Sequence, residues 1–249
     1  MSEPPVLETR GLRKAFGGLR AVDGVDLALP RGEIRALIGP NGAGKTTFFN
    51  MLTGQLAPDG GEVRFKGERI GGLAPHAVWR RGISRTFQIT ATFASLTVGQ
   101  NVQVALLSRH RRTLNPLTPA AGLEAAAVAA LLGQVGLGAQ AERVAGVLAY
   151  GDLKKLELAV ALASEPELLL LDEPTAGMAP AERGALMALI EGLARERRLT
   201  VLFTEHDMDV VFAVSDRIMV LHQGRVIAEG KPVEVRADAL VQRVYLGDE

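Results

Sequence analysis

The sequence predicts an α/β fold with a mostly parallel sheet, a small antiparallel β layer and a helical insertion. The prediction rests on two features of its 249 residues: strand-like segments alternate with helix-like ones, and two of those strands are apolar with no polar alternation. The two unbroken apolar strands are Leu168 to Leu171 and Val201 to Phe203. Such runs are expected where helices cover both faces, so they belong at the centre of the sheet. Three strand-to-helix units follow: Ile34 to Ile38 with a helix from Thr46, Leu168 to Leu171 with Pro180 to Arg197, and Thr200 to Phe203 with Asp207 to Val214. Val6 to Arg10, Leu19 to Leu29 and Glu62 to Phe65 read instead as short strands, because turns such as Gly17-Gly18 and Gly60-Gly61 separate them. These form the antiparallel layer. From about Ile89 to Glu165 the chain turns Ala- and Leu-rich and helical, with a loose loop at Ser108 to Pro119. The reading is one domain over 1–249 with a helical subdomain at about 89–165 inserted in its core.

Composition narrows the partners. Lys plus Arg and Asp plus Glu stand at 28 each, so no global positive field draws the chain to nucleic acid, and none is expected as a partner. With 47% hydrophobic residues the chain can bury a large core. The absence of Cys excludes a disulfide framework and thiolate metal sites, and it fits a reducing compartment. Met1 to Pro5 has neither the basic start nor the apolar stretch of a signal peptide. Apolar runs such as Ala125 to Leu132 fall short of the roughly 20 residues that cross a bilayer, so a membrane role would need another chain to supply the span.

Chemistry concentrates in two strings. Gly39-Pro40-Asn41-Gly42-Ala43-Gly44-Lys45-Thr46 fits G-x-x-x-x-G-K-[ST] and sits between a strand and a helix, as a phosphate-binding loop requires. Its glycines let backbone amides wrap phosphates, and the helix N-terminus adds partial positive charge. Lys45 is expected on the β- and γ-phosphates and the Thr46 hydroxyl on Mg²⁺, with Thr47 continuing the loop. The second string, Leu168-Leu169-Leu170-Leu171-Asp172-Glu173, ends a strand in two carboxylates. Asp172 suits Mg²⁺, and Glu173 suits the water that attacks the γ-phosphate. Taken alone, a Gly-rich turn or an acidic strand end is commonplace; together they define a nucleotide site.

Around these strings the sequence resembles the ATP-binding cassette (ABC) family of P-loop NTPases, over nearly its whole length. The resemblance implies that Gln88, in Arg85-Thr86-Phe87-Gln88, approaches Mg²⁺ and attacking water. It implies that His206, in Thr204-Glu205-His206-Asp207, senses the γ-phosphate. Phe16 takes the place of the adenine-stacking aromatic, with Val22 lining the same pocket. Leu148-Ala149-Tyr150-Gly151-Asp152, before a helix at Leu153 to Ala163, is similar to the family signature L-S-G-G-Q, with which a second cassette grips ATP. Ala149 lacks the usual hydroxyl, and Asp152 brings a negative charge that favours its own helix start and opposes an incoming phosphate. Ala176-Gly177-Met178-Ala179 stands where S-A-L-D is common, which puts a cross-dimer contact there in doubt.

Phe16 to Leu19, Arg85 to Gln88, Leu96-Thr97-Val98, Asn101-Val102, Leu156-Glu157 and Tyr245-Leu246-Gly247 resemble the branched-chain amino-acid importers in particular. The resemblance implies an ATPase subunit on the cytoplasmic face of the cell membrane, held there by membrane-spanning permease subunits and paired with a second ATPase subunit. ATP and Mg²⁺ are its implied ligands. The alternatives are a cassette for another solute such as urea, a cassette free of membranes, a small-molecule P-loop kinase, which leaves the Gln, signature and His order unexplained, and a switch without useful turnover. Arg109-His110-Arg111-Arg112 reads as a solvated loop, and Trp79, His76 and His222 as packing or surface positions.

Overall fold

The computed structural model describes residues 4–86, 92–110 and 122–246. Gln88, Arg111, Arg112 and Gly247 lie outside the described residues.

Two sheets organise the chain. An antiparallel sheet takes β1 (Leu7–Phe16), β2 (Leu19–Leu29), β4 (Gly60–Phe65) and β5 (Glu68–Arg69) in the order β2-β1-β4-β5. The larger sheet runs β10-β9-β3-β8-β7-β6, built from β3 (Ile34–Ile38), β6 (Ile83–Thr86), β7 (Leu168–Asp172), β8 (Thr200–Thr204), β9 (Arg217–His222) and β10 (Arg225–Gly230). All its pairs are parallel except β9 with β10. β3, β7 and β8 are buried at every position, which explains their lack of polar alternation.

The alternation survives as a division between two cores. Ile34, Ala36, Ile38, Leu169, Leu171, Val201 and Phe203 point to one face. There they meet α5 (Tyr150–Leu162), α6 (Pro180–Arg197) and α7 (Met208–Val214), with α3 (Val98–Arg109) and α4 (Ala125–Gln134) packed beyond. Leu37, Leu168, Leu170 and Leu202 point to the other, against the antiparallel sheet, α1 (Lys45–Leu52) and α2 (Pro75–Trp79). At about 25 cal/mol per Å² of apolar surface buried, such a two-sided core fixes the ends of β3, β7 and β8 rigidly. α8 (Pro232–Ala237) and α9 (Ala239–Leu246) close the chain. No helix among the described residues is long and apolar enough to cross a membrane.

Several expected bounds shift. The first strand runs on to Phe16, because register shifts let it bend along β2 after Thr9. The fifth helix begins at Tyr150 rather than Leu153, so Tyr150, Gly151 and Asp152 form its first turn instead of preceding it. Asp152 at the third position suits the positive end of the helix. β5, β6, β9, β10, α2, α8 and α9 were not expected from the sequence. α3 begins on a reciprocal cap: Gln100 N donates to Thr97 Oγ1 at 3.1 Å, and Thr97 N donates to Gln100 Oε1 at 2.9 Å.

Candidate functional site

The C-terminal ends of β3, β7 and β8 lie side by side, and the candidate residues follow directly from them. After Ile38 the loop 39–44 turns into α1. A Cβ on Gly39 would stand 2.1 Å from the Leu221 carbonyl oxygen, and one on Gly44 would stand 2.1 Å from that of Ala21. Only glycine lets the loop pass between these two backbones. Gly44, in a left-handed conformation (φ 105°), caps α1 with no side-chain acceptor, leaving the first-turn amides available to an anion. Phe48 and Phe49, both fully buried, anchor that helix from beneath.

Lys45 is buried within the loop, where its Nζ donates to Gly39 O at 2.5 Å and Pro40 O at 3.1 Å. Burial pulls its pKa below the ordinary lysine value, although Glu173 and Asp172 oppose the shift. A cleft of about 610 Å³ opens above, lined by Phe16, Leu19, Arg20, Ala21, Asn41 to Thr47, Glu173 and Gln223. Phe16 is 50% exposed at the end of β1, with a face available to the cleft and the Lys14 ammonium 5.8 Å from its ring. Val22 is buried in the core beneath, and the cleft wall beside it is Ala21.

Asp172 and Glu173 are held in different ways. Asp172 is buried at the end of β7, where Thr204 Oγ1 donates to Oδ1 at 2.9 Å and Arg85 Nη2 donates to Oδ2 at 2.7 Å. Arg85 also donates to Asn50 Oδ1 at 2.7 Å, joining β6, β7 and α1. Glu173 has φ 49°, a conformation that costs a non-glycine residue about 1 to 3 kcal/mol and persists only when its surroundings hold it. Its N–H donates to Thr204 O at 3.1 Å and Thr204 Oγ1 at 3.0 Å. That turn brings the carboxylate to the cleft, where Oε1 accepts from His206 Nε2 at 2.8 Å.

Three residues to which the sequence reading gave no role hold this arrangement: Arg85, Thr204 and Glu205. Glu205 is buried; its Oε1 accepts from Thr175 N at 2.8 Å and Thr175 Oγ1 at 2.6 Å, and its Oε2 accepts from His206 N at 3.2 Å. Glu205 stands beside His206 in the chain, and a charged residue directly after a fully buried strand is the available signal.

Ala149, Tyr150, Gly151 and Asp152 come together on the opening turn of α5, and none lines the cleft of this same chain. The Asp152 charge is balanced locally. Gln140 Nε2 donates to Oδ2 at 2.8 Å and Lys155 Nζ to Oδ1 at 2.9 Å; these two hydrogen bonds, the first the stronger influence, hold its pKa below the usual carboxylate value. Its opposition to an incoming phosphate is therefore weaker than its formal charge suggests.

Comparison with known proteins adds relationship to geometry. A family model described as "ABC transporter" matches residues 22–176, and one described as "Branched-chain amino acid ATP-binding cassette transporter" matches residues 225–249. The chain is 44% identical to the high-affinity branched-chain amino acid transport ATP-binding protein BraF of Pseudomonas aeruginosa, covering 98% of each. It is 43% identical to the corresponding protein LivG of Escherichia coli, again covering 98% of each. Among solved structures, it superposes with a TM-score of 0.87 and 29% identity on the ADP conformation of an ATP-binding cassette of an ABC transporter, covering 99% of this chain and 100% of that one. A nucleotide-free cassette gives 0.85 at 30% identity, covering 98% and 99%.

Proposed function

This chain belongs to the ABC transporter family as one of its ATPase subunits, and from that premise we propose that it powers a membrane importer of branched-chain amino acids. The observation that carries the catalytic part is the Glu173–His206 pair, 2.8 Å apart, at the cleft above Lys45. The proposed substrate rests on the similarity to BraF and LivG, branched-chain amino acid transport ATP-binding proteins, and on the match at residues 225–249.

In this reading Lys45 exchanges its loop carbonyls for the β- and γ-phosphates, while the amides of 39–47 wrap them and Phe16 stacks on the base. The residues fit Mg²⁺: the donors are oxygens, Thr46 Oγ1 and Asp172, and no group of three or more His, Cys, Asp or Glu gathers among the described residues. A magnesium ion needs only one or two protein oxygens beside phosphates and waters. Bound with ATP, it neutralises charge on the transferring phosphoryl group. Thr204 and Arg85 fix the Asp172 carboxylate in place. Glu173 accepts a proton from the attacking water or orients it, and the His206 Nε2–H, held on Glu173 in this structure, would turn to the γ-phosphate when nucleotide binds. The family resemblance gives Gln88, which lies outside the described residues, a role toward the attacking water and the metal.

Ala149 to Asp152 would face ATP in a second cassette, since they do not reach their own cleft. Closure on two ATP molecules and reopening after hydrolysis would drive membrane-spanning permease subunits at the cytoplasmic face. The test is ATPase activity of the chain co-purified with its membrane subunits in vesicles. Stimulation by leucine, isoleucine or valine with their binding protein is expected; stimulation by urea instead would replace the solute, and none by any solute would remove the transport reading.

A further inference from the structure

The loop that follows Glu173 is pinned at three points. Thr175 is held by the buried Glu205 carboxylate, which also takes the His206 amide. At the far end, Arg183 Nε donates to Met178 O at 2.9 Å, and its Nη1 donates to Asp207 Oδ2 at 3.1 Å. Both anchors lead to the segment that carries His206. The third leads elsewhere: the Tyr150 hydroxyl donates to Ala176 O at 2.9 Å, and its ring lies about 3.4 Å from where a Cβ on Gly177 would stand.

Tyr150 is 45% exposed, so water competes for its hydroxyl and the bond adds little to folding. Its geometry is nevertheless well determined. Lys154 Nζ sits 5.5 Å from the ring centroid, and Lys154 is itself buried and paired with Glu157 at 3.1 Å on the same helix. Loop turns complete the connection: Ala176 N donates to Glu173 O and Met178 N to Thr175 O, each at 3.1 Å. A continuous set of contacts therefore runs from Glu173 and His206 through 175–178 to the first turn of α5.

We propose that Tyr150 is a positioning residue that relays occupancy of the chain's own phosphate cleft to residues 149–152. The proposal deepens the reading above and rests on it, because 149–152 matter to catalysis only if they grip ATP in a second cassette. A shift of Glu173 or His206 on nucleotide binding moves the 175–178 loop, and the Tyr150 bond carries that shift to the opening turn of α5. The gripping surface would then be ordered only in a chain whose own cleft is filled.

Hydrogen exchange on the full chain tests this without a partner, in a dilute sample shown to be monomeric by light scattering. The probe is Mg²⁺ with a non-hydrolysable ATP analogue. In the wild-type chain exchange should slow at 39–47 and, by at least about fivefold, at 149–156, the lower end of ordinary coupling between sites. Tyr150→Phe, checked for an unchanged urea midpoint, should keep the first effect and lose most of the second; Tyr150→Leu, lacking the ring, should lose all of it. A response at 149–156 that persists in both variants, or is missing from wild type while 39–47 is protected, overturns the relay and leaves the ATPase reading standing. No protection at 39–47 in the wild type overturns the nucleotide reading itself and the relay with it.

Discussion

Arg85→Ala should destabilise the chain far more than an ordinary substitution. The Arg85 and Asp172 side chains are 6% and 5% exposed and 2.7 Å apart, so solvent cannot replace the guanidinium when it is removed. Leaving one partner of a buried pair uncompensated costs about 3 to 5 kcal/mol. The lost bond to Asn50 at 2.7 Å places the expected value in the upper half of that range. For a chain of this size, at about 2 to 4 °C per kcal/mol, the melting temperature should fall by roughly 8 to 20 °C. Arg85→Lys, which keeps charge but loses the fork, should fall between. Differential scanning fluorimetry measures this directly, and saturating Mg²⁺ with ATP should narrow the gap, because a cation then faces Asp172 again. A fall under about 2 °C, less than 1 kcal/mol at this size, would refute the claim that Arg85 holds Asp172 in place.

Lys45→Ala should remove most ATP turnover, at about 2 to 4 kcal/mol of lost stabilisation, measured by steady-state phosphate release. The lowered Lys45 pKa also has a sign. The unfolded chain holds this proton to higher pH than the folded one, so between the lowered value and the ordinary lysine value folding stability rises with pH. Phosphate favours the ammonium, so nucleotide affinity should fall as pH rises through the same window; Lys45→Arg should show no such loss in titrations across alkaline pH. Asp152→Gln should strengthen ATP-dependent dimerisation only modestly, within about 1 kcal/mol, because Lys155 and Gln140 already balance the charge. Lys155→Ala should weaken dimerisation in light scattering, and added salt should erase the difference.

Contiguous chemistry was legible in the sequence; its supports were not. The phosphate loop, the acidic pair and His206 each declare themselves in a few adjacent residues. Arg85 and Asp172, by contrast, are 87 positions apart, and Thr175 and Glu205 are 30 apart, so only the parallel pairing of β6, β7 and β8 brings them together. The central place of β3, between β8 and β9, was equally hidden, because pairing order depends on crossovers that periodicity does not record. β9 could have been found from Ile218 to Leu221, bounded by Asp216 and the Gln223-Gly224 turn. The early start of α5 was obscured by Gly151, a poor helix former, and by Ala149, which caps the helix with no side-chain acceptor. One position along a strand reverses the face, so Ala21 lines the cleft while the neighbouring Val22 is buried in the core.

The central claim is that Glu173, turned into the cleft by its left-handed backbone and paired with His206, acts on the attacking water. Glu173→Gln keeps shape and most hydrogen bonding but removes the charge that makes a carboxylate a base. Single-turnover hydrolysis, measured beside ATP affinity with Mg²⁺ present, separates binding from cleavage. The account predicts near-normal ATP affinity with cleavage slowed by roughly 10²-fold or more. Cleavage at the wild-type rate would contradict it, and loss of ATP binding would place Glu173 among the binding or folding residues instead.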